Sequence, residues 1–179
     1  EWIETRLLTS GSRTNPWYQE ASERKVEEGD IVSLDSDLIG PHGYGADISR
    51  SWTVGDNKPK PEQRRLYSLA HEQVQRNLEL FVPGRSFFEL ADLAFRMPDK
   101  YKAFEQPAIA HGSGLCNEFP LLIHSDKIRA KGHDGIVEPG MVICVESYAG
   151  APGDGEGVKL EQQILITENR PEVLSDMEF

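Results

Sequence analysis

The chain has no apolar run approaching the ~20 residues needed to cross a bilayer. Nor does it have a basic segment followed by an apolar stretch and a small-residue cleavage site. Positive charge is scarce: 19 basic residues face 30 acidic ones, for a formal net charge of −11. A surface of that sign repels nucleic acid and anionic lipid, which sets both aside as partners. With cysteine only at Cys116 and Cys144, no disulfide framework is possible, and a cytoplasmic chain is the simpler reading. Low-complexity stretches and long linkers are missing too. The opening Glu1-Trp2-Ile3-Glu4 has no initiator methionine, so a chain incomplete at its N-terminus is expected. What is there suffices for one domain. A length of 179 residues, 38% of them apolar, can bury a core without disulfides or a structural metal, so residues 1–179 are read as one unit.

Apolar periodicity divides that unit. Asp30 to Leu34 reads as a strand, Ser51 to Val54 closes another, and Gly40 to Gly45 between them is turn chemistry. A helix is predicted over residues 61–82, opened by Pro61, with Leu66, Leu69, Ala70, Val74, Leu78 and Phe81 on one face. Pro83-Gly84 stops it. Ser86 with Glu89 three residues on forms a capping box for a second helix, which Pro98 should end. Short strands return at Met141–Val145 and Gln163–Ile166. The order implies an α+β fold with helices on one face of an antiparallel sheet.

An internal repeat is more informative. The ten residues from Val26 to Asp35 align without gaps to those from Val137 to Glu146: V-E-x-G, then an apolar strand ending on a carboxylate. Asp47 follows the first copy and Glu161 the second, so each half reads as a β-hairpin with an acid on both strands. Ionised acids in strands that should be buried need cations or donors to compensate them. Asp35 and Asp37, two apart on a strand, share a face. His111 sits in Ala108-Ile109-Ala110-His111-Gly112-Ser113-Gly114, an apolar approach followed by a flexible turn. Asp35, Asp37, Asp47, Glu146 and Glu161 cannot all stay ionised in one low-dielectric site unless cations join them. Two divalent ions bridged by shared carboxylates would resolve the conflict. One nitrogen among many oxygens suits Fe, Mn, Co or Zn better than Mg or Ca.

Together, Asp35-Ser36-Asp37, Gly43 to Ser51, His111-Gly112-Ser113-Gly114, Glu146 and Glu161 resemble the pita-bread metallohydrolases, among them methionine aminopeptidases, proline-specific peptidases and creatinase. That family's ligands run Asp, Asp, His, Glu, Glu in chain order. The resemblance implies a curved antiparallel sheet with helices on one face, and a first half missing here. Peptidases of the family place a further His soon after the metal-binding one, but Gly114 to Pro120 contains none, and His124 lies too far along. The D-x-D start, H-G-S-G-L-C and E-F-P are instead similar to the dimethylsulfoniopropionate lyases of the DddP type, peptidase-like proteins that cleave a C–S bond. By that resemblance Asp35, Asp37, Asp47, His111, Glu146 and Glu161 would hold two irons, with Mn, Co or Zn as alternatives. The general base would stand at position 117, where Asp is expected and this chain has Asn117.

The expectation is a binuclear-metal lyase that takes a small zwitterion to dimethyl sulfide and acrylate, a homodimer by resemblance, here inactivated by Asn117. A proline-specific metallopeptidase (Xaa-Pro aminopeptidase or dipeptidase) is the alternative, and a metal-free binding module ranks last. Cys116 and Cys144 are read as packing residues. His42, His71 and His133 are assigned to the surface, and Asp154 to Gly157 to a solvated turn. Tyr44 and Trp52 are read as packing, with a second reading that gives one ring to a sulfonium cation.

Overall fold

The strand that starts after Gly29 does not stop where its apolar run stops. In the computed structural model, which describes residues 2–3, 7–116 and 118–179, it continues through both acids to Ile39. The described strands are β1 (Trp2–Ile3), β2 (Leu7–Ser10), β3 (Ile31–Ile39), β4 (Gly45–Thr53), β5 (Ala108–Gly112), β6 (Leu121–Ile123), β7 (Val142–Ala149), β8 (Val158–Leu165) and β9 (Glu172–Val173). The α-helices are α1 (Pro61–Leu78), α2 (Phe87–Leu93) and α3 (Ser125–Lys131). All pairings are antiparallel. β3 is flanked by β1 and β2 on one side and β4 on the other, while the second sheet runs β6-β5-β7-β8-β9.

The repeat is real in three dimensions. Gly29 and Gly140 both take left-handed backbones (φ 85° and 93°), which glycine adopts without a Cβ clash. The Gly29 N–H donates to the Val54 carbonyl at 2.9 Å, and the Gly140 N–H to that of Ile166 at 2.8 Å. Each hairpin therefore leaves the same turn in the same register. The edge of β8 away from β7, paired with β9 only at Ile164 and Leu165, lies along β4 for the rest of its length, joined by side chains: Ser51 Oγ donates to the Lys159 carbonyl (2.8 Å) and accepts from the Lys159 N–H (3.2 Å).

Helix α1 covers β7 and β8 with Leu66, Ala70 and Val74, all fully buried. Leu69 and Leu78, expected on the same face, are only partly buried. The helix ends at Leu78 rather than 82, because Leu80 and Phe81 N–H groups turn back to Asn77 and Leu78 carbonyls. Phe81 still reaches the core, beside Leu90, Ala91, Ile109, Ile143 and Ile164. Only half of the capping box is seen: Ser86 Oγ accepts from the Glu89 N–H (3.1 Å), while the Glu89 carboxylate lies 3.5 Å from Arg85. α2 stops at Leu93, short of Pro98, where Asn77 Oδ1 captures the Phe95 N–H at 2.8 Å and redirects the chain. Residues 154–157 are not a merely solvated turn. Glu156 accepts from the Ile31 N–H (2.7 Å) and from Gln63 Nε2 (2.9 Å), tying the second hairpin's loop to the start of the first. Among the described residues no helix is long and apolar enough to cross a membrane.

Candidate metal centre

Side-chain alternation aims the acids. Asp35 and Asp37 on β3, Asp47 on β4, His111 on β5 and Glu146 on β7 line one cavity of about 300 Å³, whose other wall is Leu7, Tyr18, Gln106, Pro107, Ala108, Leu121 and Ile123. Glu161 on β8 is opposite Glu146 in register and fully buried. In the first hairpin Asp47 faces Asp37, and Asp35 faces Ser49. A groove of about 400 Å³ on another face, lined by Trp52, Tyr67 and Phe179 among others, contains none of these acids.

His111 is the hub. Its Nε2 lies 3.2 Å from Glu146 Oε1 and 3.6 Å from both Asp47 Oδ2 and Glu161 Oε1. Its Nδ1 is 3.2 Å from the Gly112 carbonyl; a carbonyl only accepts, so a proton sits on Nδ1, and Nε2, the nitrogen that faces the acids, is the one that could exchange its proton for a metal. Glu161 Oε1 is buried without a hydrogen-bond partner among the described residues. Separations of 3.2–3.6 Å are what ligands bonded to a single ion at roughly 2.1 Å would show. Ligand atoms of Asp47, His111, Cys144 and Glu161 all lie within 4.8 Å of one another. The donor set fits a divalent metal.

The electrostatics show what the acids do without one. Burial first, then Glu161 and Asp37, push the Asp47 carboxyl up to about 11. Burial likewise raises Asp35 to about 7, against the opposing pull of Lys159. Burial disfavours the His111 imidazolium, but Glu146 and Glu161 outweigh it and lift the pKa to about 11. Glu161 goes the other way: burial opposes its charge, yet Lys159, His111 and Ser49 hold it well below the usual carboxylate range.

Lys159 is the functional residue that sequence reasoning missed. It is 1% exposed, with Nζ 2.6 Å from Glu146 Oε2, 3.3 Å from Glu161 Oε2 and 3.9 Å from Asp35 Oδ1. Nζ also donates to Ser49 Oγ at 2.7 Å, and Ser49 Oγ in turn contacts Asp35 and donates to Glu161 Oε2 at 2.9 Å. With all five acids ionised, this one ammonium leaves four negative charges, the charge of two divalent cations. A signal existed: Lys159 is two residues before Glu161 and so shares its face.

Other expectations fare unevenly. Cys116 is exposed rather than packed; Cys144 is buried, its thiol raised by burial and then by Glu161 and Asp47. Tyr44 and Trp52 are not packing residues, at 57% and 44% exposure, and neither lines the acid cavity. His42 and His133 are exposed, and His71 is half-buried against Phe179. His124 is buried 3.6 Å from Glu105 and does not line the cavity. Asn117 lies outside the described residues; its neighbour Glu118 (φ 60°) lines the cavity. Tyr18 has its phenol raised, by desolvation and then by Glu146.

A family model for metallopeptidase family M24 matches residues 2–168. The chain belongs to metallopeptidase family M24. Its fold is the pita-bread fold of that family: the solved prolidase from Pyrococcus furiosus superposes over 97% of this chain and 49% of its own, with a TM-score of 0.79 at 29% identity. The dimethylsulfoniopropionate lyase DddP of Roseovarius nubinhibens is 44% identical over the whole chain. That of Roseobacter denitrificans is 41% identical, again over the whole chain. The Xaa-Pro dipeptidase of Pyrococcus furiosus is 31% identical over 96% of this chain. The chain spans 40% of the length of either lyase and 47% of the dipeptidase.

Proposed function

We propose that the protein to which this chain belongs eliminates dimethyl sulfide from dimethylsulfoniopropionate, leaving acrylate. In this reading two divalent ions, iron first and Mn, Co or Zn as alternatives, are held by Asp35, Asp37, Asp47, His111, Glu146 and Glu161. The observation that carries the reading is that His111 is the sole histidine among the described residues lining the cavity. The second imidazole that resembling peptidases bring to amide hydrolysis has no counterpart there. The greater identity to the lyases than to the dipeptidase, 44% against 31%, supports the same choice.

When bound, the ions would withdraw charge from the substrate carboxylate and make the adjacent C–H more acidic. The chain's own residues supply the rest. Leu7, Ala108, Leu121 and Ile123 give the methyl groups a wall that does not compete for hydrogen bonds. A carboxylate at position 117 would take the proton; the electron pair of that C–H bond becomes the new C=C, and the C–S pair leaves with the sulfide. Asn117 has nearly the carboxylate's shape but no useful basicity, so we take this chain as an inactivated variant that keeps its metal and substrate sites. By the same family resemblance we take the whole protein as a homodimer, and the two cysteines of this chain fit a cytoplasmic setting.

Headspace detection of dimethyl sulfide tests the proposal on full-length, metal-replete protein. Asn117→Asp should raise kcat by ~10²–10⁴ with unchanged metal content. Equal turnover by the Asn form would remove position 117 from the base role. Efficient hydrolysis of Xaa-Pro dipeptides without sulfide release would replace the lyase by the peptidase.

A further inference from the structure

Two rings that the sequence offered to a cationic substrate, Tyr44 and Trp52, are both outside the acid cavity. A third aromatic stands in its wall. Tyr18 holds a left-handed backbone (φ 69°), which a residue with a Cβ rarely adopts. Its surroundings fix that conformation from both ends. The preceding Trp17 is buried (6% exposed), packed against Tyr148 at 6.2 Å between ring centroids. At the other end the Tyr18 hydroxyl donates to Gln106 Oε1 at 2.8 Å, and Gln106 is itself buried at the cavity wall. The ring is thus tethered in the lining of the cavity, 61% exposed, and Asp35, Asp37, Asp47 and Glu146 line the same cavity.

Strain of this kind persists where the surrounding structure over-determines it, and it clusters at ligand clamps. We infer that Tyr18, positioned by Gln106, is the wall against which the dimethylsulfonium group of the substrate packs, and so selects the sulfonium zwitterion over a carboxylate of the same shape whose far end is uncharged. The inference rests on the lyase reading for the identity of the cation. A sulfonium carries its charge on methyl groups with no N–H or O–H to donate, so a hydrogen-bonding site cannot select it. An aromatic face can, because the ring quadrupole attracts a cation without requiring a donor. The remaining wall, Leu7, Ala108, Leu121 and Ile123, is apolar and offers contact area without discrimination.

Calorimetric titration of full-length, metal-loaded protein carrying Asn117 provides the test, since turnover does not then deplete the ligand. The two ligands are dimethylsulfoniopropionate and 4-methylpentanoate, in which a neutral CH replaces the sulfonium sulfur. Tyr18→Leu should lower the preference for the sulfonium about tenfold, leaving 4-methylpentanoate affinity within about twofold as the internal control for folding and metal. Tyr18→Phe, which keeps the ring face and loses only the tether, should retain most of the preference. An unchanged ratio in Tyr18→Leu overturns the inference, as does a Phe variant that loses as much as the Leu variant. Dimethyl sulfide release from Asn117→Asp protein is read separately. A ring-dependent preference without sulfide release would uphold the wall and remove the lyase; sulfide release with a ring-independent preference would do the reverse.

Discussion

In the β3–β4 hairpin Asp35 faces Ser49 and Asp37 faces Asp47; at the corresponding positions of β7–β8, Glu146 faces Glu161 and Tyr148 faces Lys159. The backbone is the same from the glycine turn onward, yet the acid pair is shifted by two register positions. The first hairpin puts its acid pair further along, where β3 is only half-buried beside the cavity. The second puts its pair deeper, in strands buried almost throughout, and follows it with a lysine whose ammonium turns back between Glu146, Glu161 and Asp35. A duplicated scaffold has thus divided two tasks. The first copy presents Asp35, Asp37 and Asp47 to the cavity; the second adds Glu146 and supplies the internal cation that holds the fully buried Glu161 in its charged form.

Replacing the ligands would break this division most completely. Asp47→Ala and His111→Ala should each remove bound metal while the metal-free fold persists, as metal analysis beside circular dichroism would show. The metal-free Asp47→Ala protein should be no less stable than its parent, because burial and its acid neighbours already disfavour the Asp47 charge. A collapse of the fold would mean that Asp47 is structural rather than a ligand.

Lys159→Met separates the two hairpins' roles. It strips a fully buried ammonium from Glu146 and Glu161, and breaking a buried pair in this way costs about 3–5 kcal/mol. The loss should appear in urea unfolding of metal-free protein and shrink when divalent ions are present, since they take over the compensation. Equal losses with and without metal would show that Lys159 acts by packing alone.

pH sharpens the comparison from the other side. Asp35, at an ordinary 3.8, is raised to about 7 in the folded protein, so the folded state binds that proton more tightly than the unfolded one. Its contribution is fully present below about pH 4 and is lost as pH rises to about 7. Metal-free protein should therefore show a falling urea midpoint across that window, flattened in Asp35→Asn. The smallest effect is expected at the strut between the hairpins. Glu156→Ala leaves the Ile31 N–H without its acceptor and Gln63 with only the Gly29 carbonyl, and should cost about 1–2 kcal/mol with no change in metal content.

Much of this was legible because it repeats or is ordered along the chain. The V-E-x-G turns, the acids at the ends of apolar strands and His111 before a glycine turn are local patterns; five of those side chains line one cavity, and Glu161 lies 3.6 Å from His111. Lys159 was missed although it shares a face with Glu161, because a strand lysine is ordinarily exposed and only the convergence of β3, β7 and β8 supplies the three carboxylates around its ammonium. Glu156 was misread because turn composition reports backbone freedom, not where a carboxylate finds a donor 125 residues away. Tyr18 carries no periodic signal, since its place at the cavity depends on a single left-handed residue and on Gln106, 88 positions along.

The seam between β4 and β8 has a consequence of its own. Ser51 meets β8 at Lys159 through its hydroxyl, where a continuous sheet would use a peptide group. A backbone ladder permits only discrete slips and inverts the side chains at each one. A seam laced by side chains has no such quantum. Here the two hairpins are held together by the side chains of Ser49, Arg50, Ser51 and Gln163, each on its own contact, so the seam can be altered residue by residue without slipping either ladder or moving any acid off its strand.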